Sequence, residues 1–367
     1  MAAKTVGADL GNDSLKIAFG GNATFRLKNS VSQRMMEEIR KDLGIADFGL
    51  NGDFEELNDD QKGRILNDLD VVIHSDTING RFFVGDLASR NGEQVVEPGT
   101  PKADNPNIII PLITMLALDV ERGKKEAHFK LACGLPITEF TSDRERFRKK
   151  LIGEYNVKFL SQALKDREVK IIIDDVLMIP EGVAVALNQI FDETGRKFRN
   201  KELLTGQCGV IDIGAFTTDI PVVSNGKPDN EASSGINEGI ANYLDAIVNL
   251  INEQHGVKMT RSQLVEKLEA NSLSFSIKGT QTDLSSYVDQ QFSIFAKKIV
   301  SKVDNIWANH FEISQFFVVG GGAKALRKHL DEEMKRRKIS LSFIDNEDPQ
   351  MQNALGYWKY AKQKFGA

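Results

Sequence analysis

The chain has 367 residues, enough for two domains with substantial cores, and carries a net charge of −5 at pH 7 with 27% charged residues. So small a net charge supplies no general basic field, which argues against direct DNA binding. The N-terminus lacks a signal-peptide pattern, and the longest apolar run, Ile108 to Leu118, is broken by Pro111 and Thr114 and is too short to span a bilayer, so the expectation is a soluble cytoplasmic protein without membrane contact.

In chain order, Val6-Gly-Ala-Asp-Leu-Gly-Asn-Asp-Ser-Leu-Lys-Ile-Ala-Phe19 reads as strand, polar tip and strand, and Thr24 to Leu27 as a third strand. Residues 33 to 70 are charged and rich in Gly, Asp and Asn, an insertion with one short helical pattern around Met36 to Leu43. Val71 to His74 and Arg81 to Val84 alternate like paired strands about an Asn79-Gly80 turn. Pro111 to Val120 has helical spacing with Pro111 in the first turn, and Phe129 to Gly134 is a strand. Ser142 with Glu145 forms a capping box that opens a helix through Leu151. Lys170 to Leu177 is a strand running into Ile179-Pro-Glu-Gly182, where Pro180 starts a helix and Glu181 projects from its first turn, and Val183 to Ile190 is helical.

The second half opens with Gly209-Val-Ile-Asp-Ile-Gly-Ala-Phe-Thr-Thr-Asp-Ile-Pro-Val-Val223, a strand, a turn of small and hydroxylated residues from Gly214 to Thr218, and a second strand. Ser233-Ser-Gly235 then leads into a helix bearing Ile240, Leu244, Ile247, Val248 and Ile251. Ser262 to Leu268 is a short helix, and Leu284, Val288, Phe292, Phe295, Ile299, Val303 and Ile306 form the apolar stripe of a long one. Phe316 to Val319 is a buried-type strand before Gly320-Gly-Gly322, Ala323 to Lys335 is helical, and Asp348 to Tyr360 is a helix returning to the first domain. Alternating strands and helices imply α/β layers. Cys133 and Cys208 lie in apolar strand-like runs and read as buried reduced thiols.

The two hairpins follow one design. Each places an acid (Asp9, Asp212) at the end of its first strand and a glycine (Gly11, Gly214) in its tip, so backbone N–H groups can approach an anion. Either carboxylate is placed to hold a hydrated divalent cation, and Lys16 heads a second strand where its ammonium reaches a phosphate. A hairpin with a polar tip needs no ligand, so the pairing of two such tips carries the reading. The glycine turn at 320–322 removes side chains where a flat group slides against backbone, and a helix N-terminus after a glycine makes Gly235 and Asn237 candidates for a ribose or phosphate oxygen.

Asp9-Leu-Gly-Asn-Asp-Ser-Leu-Lys16, Asp212-Ile-Gly-Ala-Phe-Thr-Thr-Asp219 and Val319-Gly-Gly-Gly-Ala-Lys324, in that order and at domain-scale spacing, resemble the first phosphate loop, the second phosphate loop and the adenosine motif of the actin-like ATPase superfamily of actins, sugar kinases and heat-shock chaperones. Within it the chain is most similar to the ParM-like plasmid-partitioning actins, also through Gly80-Arg-Phe-Phe-Val-Gly-Asp86, Ile179-Pro-Glu-Gly182 and Asn353-Ala-Leu-Gly-Tyr357. The resemblance covers nearly the whole chain, with residues 29 to 75 matching loosely.

It implies an α/β actin-like ATPase fold, two related domains flanking an interdomain nucleotide cleft: residues 1–181 with 348–367 (and an insertion at about 29–75), then residues 182–347. In the family the insertion region forms a small subdomain that contacts the next subunit; a solvated surface insertion explains it equally well. The implied cofactors are ATP or GTP with Mg²⁺, held through water by Asp9 and Asp212. Gly11, Asn12, Asp13 and Ser14 with Gly214, Ala215, Phe216 and Thr217 line the phosphates, and Lys16 offsets their charge. Gly320, Gly321, Gly322, Ala323 and Lys324 support the nucleoside, and Glu266 and Lys267 cover the adenine, although a solvent-facing helix accounts for those two singly. Glu181 orients the water that attacks the γ-phosphate, where actins carry glutamine; helix-dipole complementarity is the competing explanation. Ala215 and Phe216 stand where the family's turn often carries Gly or Thr, and slow hydrolysis is the expectation, since Phe216 donates no side-chain hydrogen bond.

The function implied is a nucleotide-dependent, filament-forming ATPase whose subunits assemble head to tail and which segregates plasmid DNA through an adaptor bound to a centromere-like site. The alternatives are a sugar or metabolite kinase, a chaperone-type nucleotide switch and a non-segregating cytoskeletal scaffold. No acidic catalytic base for a kinase stands out deep in the first half, and no substrate-binding domain follows the core.

Overall fold

In the computed structural model, which describes residues 2–11, 13–20, 23–36, 53–92, 100–164, 167–345 and 347–366, the chain divides into two units, Met1–Arg199 with Asn353–Ala367, and Asn200–Gln352. The first comprises β1 (Lys4–Leu10), β2 (Ser14–Ala18), β3 (Thr24–Lys28), β4 (Val31–Arg34), α1 (Asp59–Leu66), β5 (Leu69–His74), β6 (Asn79–Val84), α2 (Asp86–Arg90), α3 (Pro106–Asp119), β7 (Glu126–Leu135), α4 (Ile137–Leu151), β8 (Gly153–Phe159), β9 (Glu168–Pro180) and α5 (Val183–Ile190). The second comprises α6 (Glu202–Thr205), β10 (Gln207–Ile213), β11 (Thr218–Ser224), β12 (Lys227–Ile236), α7 (Ile240–His255), α8 (Arg261–Glu269), β13 (Ser274–Ile277), β14 (Thr280–Asp283), α9 (Ser285–Asn309), β15 (Ile313–Val319), α10 (Ala323–Arg337) and β16 (Ser342–Phe343). The last helix, α11 (Gln352–Phe365), returns to the first unit.

The two sheets repeat one topology. The first runs β3-β2-β1-β7-β9-β8-β5-β6-β4, the second β12-β11-β10-β15-β16. Each begins with three antiparallel strands and continues with two more parallel to the innermost of them (β1, β7 and β9; β10, β15 and β16). Parallel central strands read as continuous apolar runs because both faces are covered. Accordingly, β1 is buried from Thr5 to Leu10, whereas β3 alternates between inward and outward residues.

Long-range contacts shift several boundaries from those the spacing predicts. The helix expected from Pro111 is longer: α3 starts at Pro106, Asn105 caps it by accepting from the Asn107 N–H, and Pro111 lies inside it. Leu112, Ile113, Met115, Leu116 and Ala117 are all fully buried, so no polar face marks the ends of this helix. α4 begins directly after Pro136, so Ser142 is not its cap; it lies within the helix and donates to the Glu139 carbonyl and the Asp143 carboxylate. Asn79 and Gly80 belong to β6, and the turn before them is closed by Ser75, whose N–H donates to the Ile78 carbonyl. α1 has only Ile65 fully buried and shows no clear apolar period. The helical pattern at Met36 to Leu43 lies, beyond Met36, outside the described residues.

α11 makes close backbone contact with the first unit. A Cβ on Gly7 would stand 2.2 Å from the Ala354 carbonyl oxygen, and one on Gly356 would stand 1.8 Å from that of Ala184. The buried Lys359 ammonium donates to the Asn188 and Phe191 carbonyls at the end of α5, a cationic C-terminal cap. These contacts place α5 and the following residues to Arg199 with the first unit, where the motifs suggested a division after Glu181.

Candidate functional site

In the first unit the site residues gather at one edge of the sheet. β1, β7 and β9 are parallel, with Ala8 beside Cys133, Cys133 beside Met178, and Leu135 beside Pro180, so Asp9 and Glu181 both lie at the strands' carboxyl ends. That edge is where open α/β sheets bind ligands. Asp9 faces Lys16 across the hairpin, and the Lys16 ammonium sits 3.0 Å from Asp9 Oδ2, with side-chain exposures of 16% and 8%. Lys16 therefore rests on the acid of its own hairpin. Gly11 lets the hairpin tip close tightly, since a Cβ there would lie 2.7 Å from the Ser14 carbonyl oxygen. Asn29 ties the tip down, its side chain donating to the Gly11 carbonyl and its N–H to that of Asp13. Ser14 is buried in β2, Asp13 is exposed, and Asn12 lies outside the described residues.

Glu181 is not in a helical first turn. Pro180 is the last residue of β9, Glu181 occupies the turn that follows, and α5 starts only after Gly182, whose φ of +78° favours glycine. The Glu181 N–H donates to the Leu135 carbonyl and the Gly182 N–H to Asn353 Oδ1. Its carboxylate forms a short ion pair with the ammonium of Lys102, a residue no sequence motif singled out.

The second unit repeats the arrangement at the carboxyl ends of β10 and β15, where Asp212 pairs with Val319. Opposite Asp212 stands Asp219, at the register Lys16 holds in the first hairpin. Thr217 Oγ1 donates to Asp219 Oδ2 at 3.1 Å. The tip is closed by the Gly214 N–H, which donates to the Asp212 and Thr217 carbonyls. Among the described residues, the N–H groups of Ala215 and Phe216 have no protein acceptor, whereas the carbonyls of Gly214 and Ala215 accept from Ile240 and Ala241 in the first turn of α7. Gly320, with φ +91°, is pressed on the acid: a Cβ there would lie 2.5 Å from Asp212 Oδ1. Gly322 donates to the Ile213 carbonyl, Gly321 is open, Ala323 is buried at the start of α10, and Lys324 is exposed.

The remaining candidates lie around this edge. Gly235 does not lead into a helix; it lies in β12 beside Asp219, and α7 is capped by Gly239, whose absent side chain lets Ala215 approach. Asn237 is exposed between them. The Phe216 ring is half exposed with the Arg261 guanidinium 5.7 Å from its centroid, which brings the N-terminus of α8 to the loop tip. Farther along α8, Glu266 is exposed and the Lys267 ammonium stacks on Phe275 of β13. Burial raises both thiols, Cys208 to about 12 and Cys133 beyond that, so neither is a nucleophile at neutral pH.

Within each unit the donors suit part of a magnesium-bound polyphosphate: a hard carboxylate with a lysine beside it in the first, and a hard carboxylate with open N–H groups at a glycine tip in the second. The chain matches the family "Actin like proteins N terminal domain" over residues 7–183 and "Archaeal actin homologue MreB-like, C-terminal" over residues 210–332. No curated protein matches it in sequence. Among solved structures it is similar to "Bacillus thuringiensis ParM with ATP", at 20% identity and TM-score 0.74 over 99% of both chains. It is also similar to a 15-stranded ParM filament from Clostridium botulinum, at 22% identity and TM-score 0.72 over 99% of this chain and 100% of that one. The apo psk41 ParM protein gives 17% identity and TM-score 0.69 over 99% and 98%. With one domain family matched in each unit and the same fold along its whole length, the chain belongs to the actin-like proteins.

Proposed function

We propose that the chain is a nucleotide-dependent, filament-forming ATPase of the ParM kind. The observation that carries this reading is the repeat of one acid-ended, glycine-tipped hairpin at the same place in two sheets. Asp9 in the first hairpin and Asp212 in the second would hold, through its waters, the Mg²⁺ that accompanies ATP or GTP. The bound Mg²⁺ neutralises charge on the phosphates. The open N–H groups of Ala215 and Phe216 receive phosphate oxygens, Lys16 supplies positive charge beside Asp9, and Gly320 to Gly322 admit the nucleoside against backbone. Glu181 holds the attacking water and accepts its proton, worth about 10²–10⁴-fold in rate.

The similarity to a ParM with ATP and to a ParM filament supports nucleotide-linked, head-to-tail assembly. Segregation of plasmid DNA through an adaptor protein that reads a centromere-like site, in the cytoplasm, completes the proposal. No helix of the described residues is long and apolar enough to cross a membrane. Light scattering and negative-stain electron microscopy at micromolar protein test the reading. MgATP or MgGTP should produce filaments, with phosphate release following assembly. A protein that stays monomeric and releases no phosphate with either nucleotide would reject it, and phosphorylation of a sugar in a coupled panel would replace it with a kinase.

A further inference from the structure

We infer that Lys102 is the positioning residue for Glu181, an inference that rests on the catalytic role proposed for Glu181. The Glu181 backbone is already fixed from both sides, by the Leu135 carbonyl and through Gly182 by Asn353. Lys102 acts on the side chain, pairing its ammonium with Oε1 and so restricting the directions the carboxylate can take. Lys102 is itself held rigidly. It opens a 3-10 turn, Lys102–Asp104, and every residue of that turn is fastened to α4. The Lys102 N–H donates to Glu139 Oε2 at 2.9 Å, Lys150 Nζ donates to the Ala103 carbonyl at 2.6 Å, and Arg146 grips the Asp104 carboxylate with both terminal nitrogens.

The pair lies against the apolar end of β7, where both charges act on the buried Cys133 thiol. The Lys102 side chain is 6% exposed and that of Glu181 16%, so both charges are largely withdrawn from water, the lysine more completely. A buried lysine is costly, and a packed apolar pair would staple the same elements at least as well. An ion pair kept here fixes the carboxylate's direction and its charge, which are the two things a water-orienting base requires.

The test uses the full chain with Lys102→Gln, which retains a donor but not the charge, and Lys102→Arg, which retains both. Phosphate release with MgATP should fall about 10–100-fold in Lys102→Gln, with nucleotide affinity unchanged and substantial recovery in Lys102→Arg. The acid limb of the rate profile should move up by about one pH unit in Lys102→Gln. A second readout needs no turnover: the Glu181 carboxyl carbon, followed by NMR in nucleotide-free protein, should titrate at higher pH in Lys102→Gln than in the wild type. An unmoved titration overturns the inference, and so does a nucleotide affinity that falls as far as the rate, which would make Lys102 a direct ligand contact. A wild type that releases no phosphate rejects the proposed function and leaves the NMR comparison to decide the role of Lys102.

Discussion

The two hairpins share a backbone and differ in what faces the acid. In the first, Asp9 stands across from Lys16 and the two form an ion pair; in the second, Asp212 stands across from Asp219 at the same register. Cross-strand partners lie on one face of a sheet, where opposite charges stabilise and like charges repel. The first hairpin thus sets an ammonium across from its acid, and the second sets another acid there. One repeated scaffold carries an acid–ammonium pair in one half and two acids at the same register in the other.

The largest effect should come from the residue that only the first unit adds to its sheet edge. Glu181→Gln should lower phosphate release by about 10²–10⁴-fold while leaving assembly intact and lengthening filament life. Equal release from the variant would remove Glu181 from the mechanism. Next, Asp219→Lys gives the second hairpin the first one's countercharge. It should weaken the Mg²⁺ dependence of turnover by roughly tenfold or more, read from a metal titration. An unchanged titration would make the contrast between the hairpins irrelevant to function.

The backbone of each edge can be broken independently. Gly320→Ala meets both a positive φ and the Asp212 carboxylate, and should cost about 1–3 kcal/mol in urea unfolding. Gly7→Ala, pressed on the Ala354 carbonyl, should destabilise the first unit in the same assay. A neutral result at Gly320 would show that the glycine turn yields where the geometry says it cannot.

The smallest effect separates the units by pH. β1 starts at Lys4, whose ammonium lies 2.8 Å from both Asp119 and Glu55. Burial raises the Asp119 carboxyl to about 8 despite the opposing pull of Lys4. A carboxyl raised in the folded state is protonated in both states below the unfolded value of about 4. Its contribution is full there and is lost as pH climbs through about 8. The thermal midpoint of the first unit should therefore decline between pH 5 and pH 8, by about a few degrees. Asp119→Asn should flatten that decline; an equally steep decline in the variant would acquit Asp119.

Both hairpins and the glycine turn were legible in the sequence because their signals are local: an apolar run, an acid, a glycine and another apolar run. The fold class followed from their order, and buried Cys133 and Cys208 followed from their apolar neighbours. The start of α3 was not legible, since a helix buried all round has no polar face to mark its register. Glu181 was placed in a helix because Pro180 suits a helix start, but pairing of β9 with β7 carries the strand through Pro180. The start of α7 at Ile240 depends on the Gly214 and Ala215 carbonyls, about 26 residues earlier, and the Lys102–Glu181 pair joins positions 79 residues apart. No local pattern announces such contacts. Asp219 stood in the quoted motif, yet its place opposite Asp212 became clear only from the strand register.

The central claim is that both hairpins serve one metal-bound nucleotide. Binding of Mn²⁺, in place of Mg²⁺, to the ATP-loaded chain measures this directly by electron paramagnetic resonance, with the wild type compared against Asp9→Ala and Asp212→Ala. The account predicts one Mn²⁺ per chain, appearing only with nucleotide and weakened by either substitution. A metal that binds without nucleotide, or that ignores the loss of one of the two acids, would contradict it.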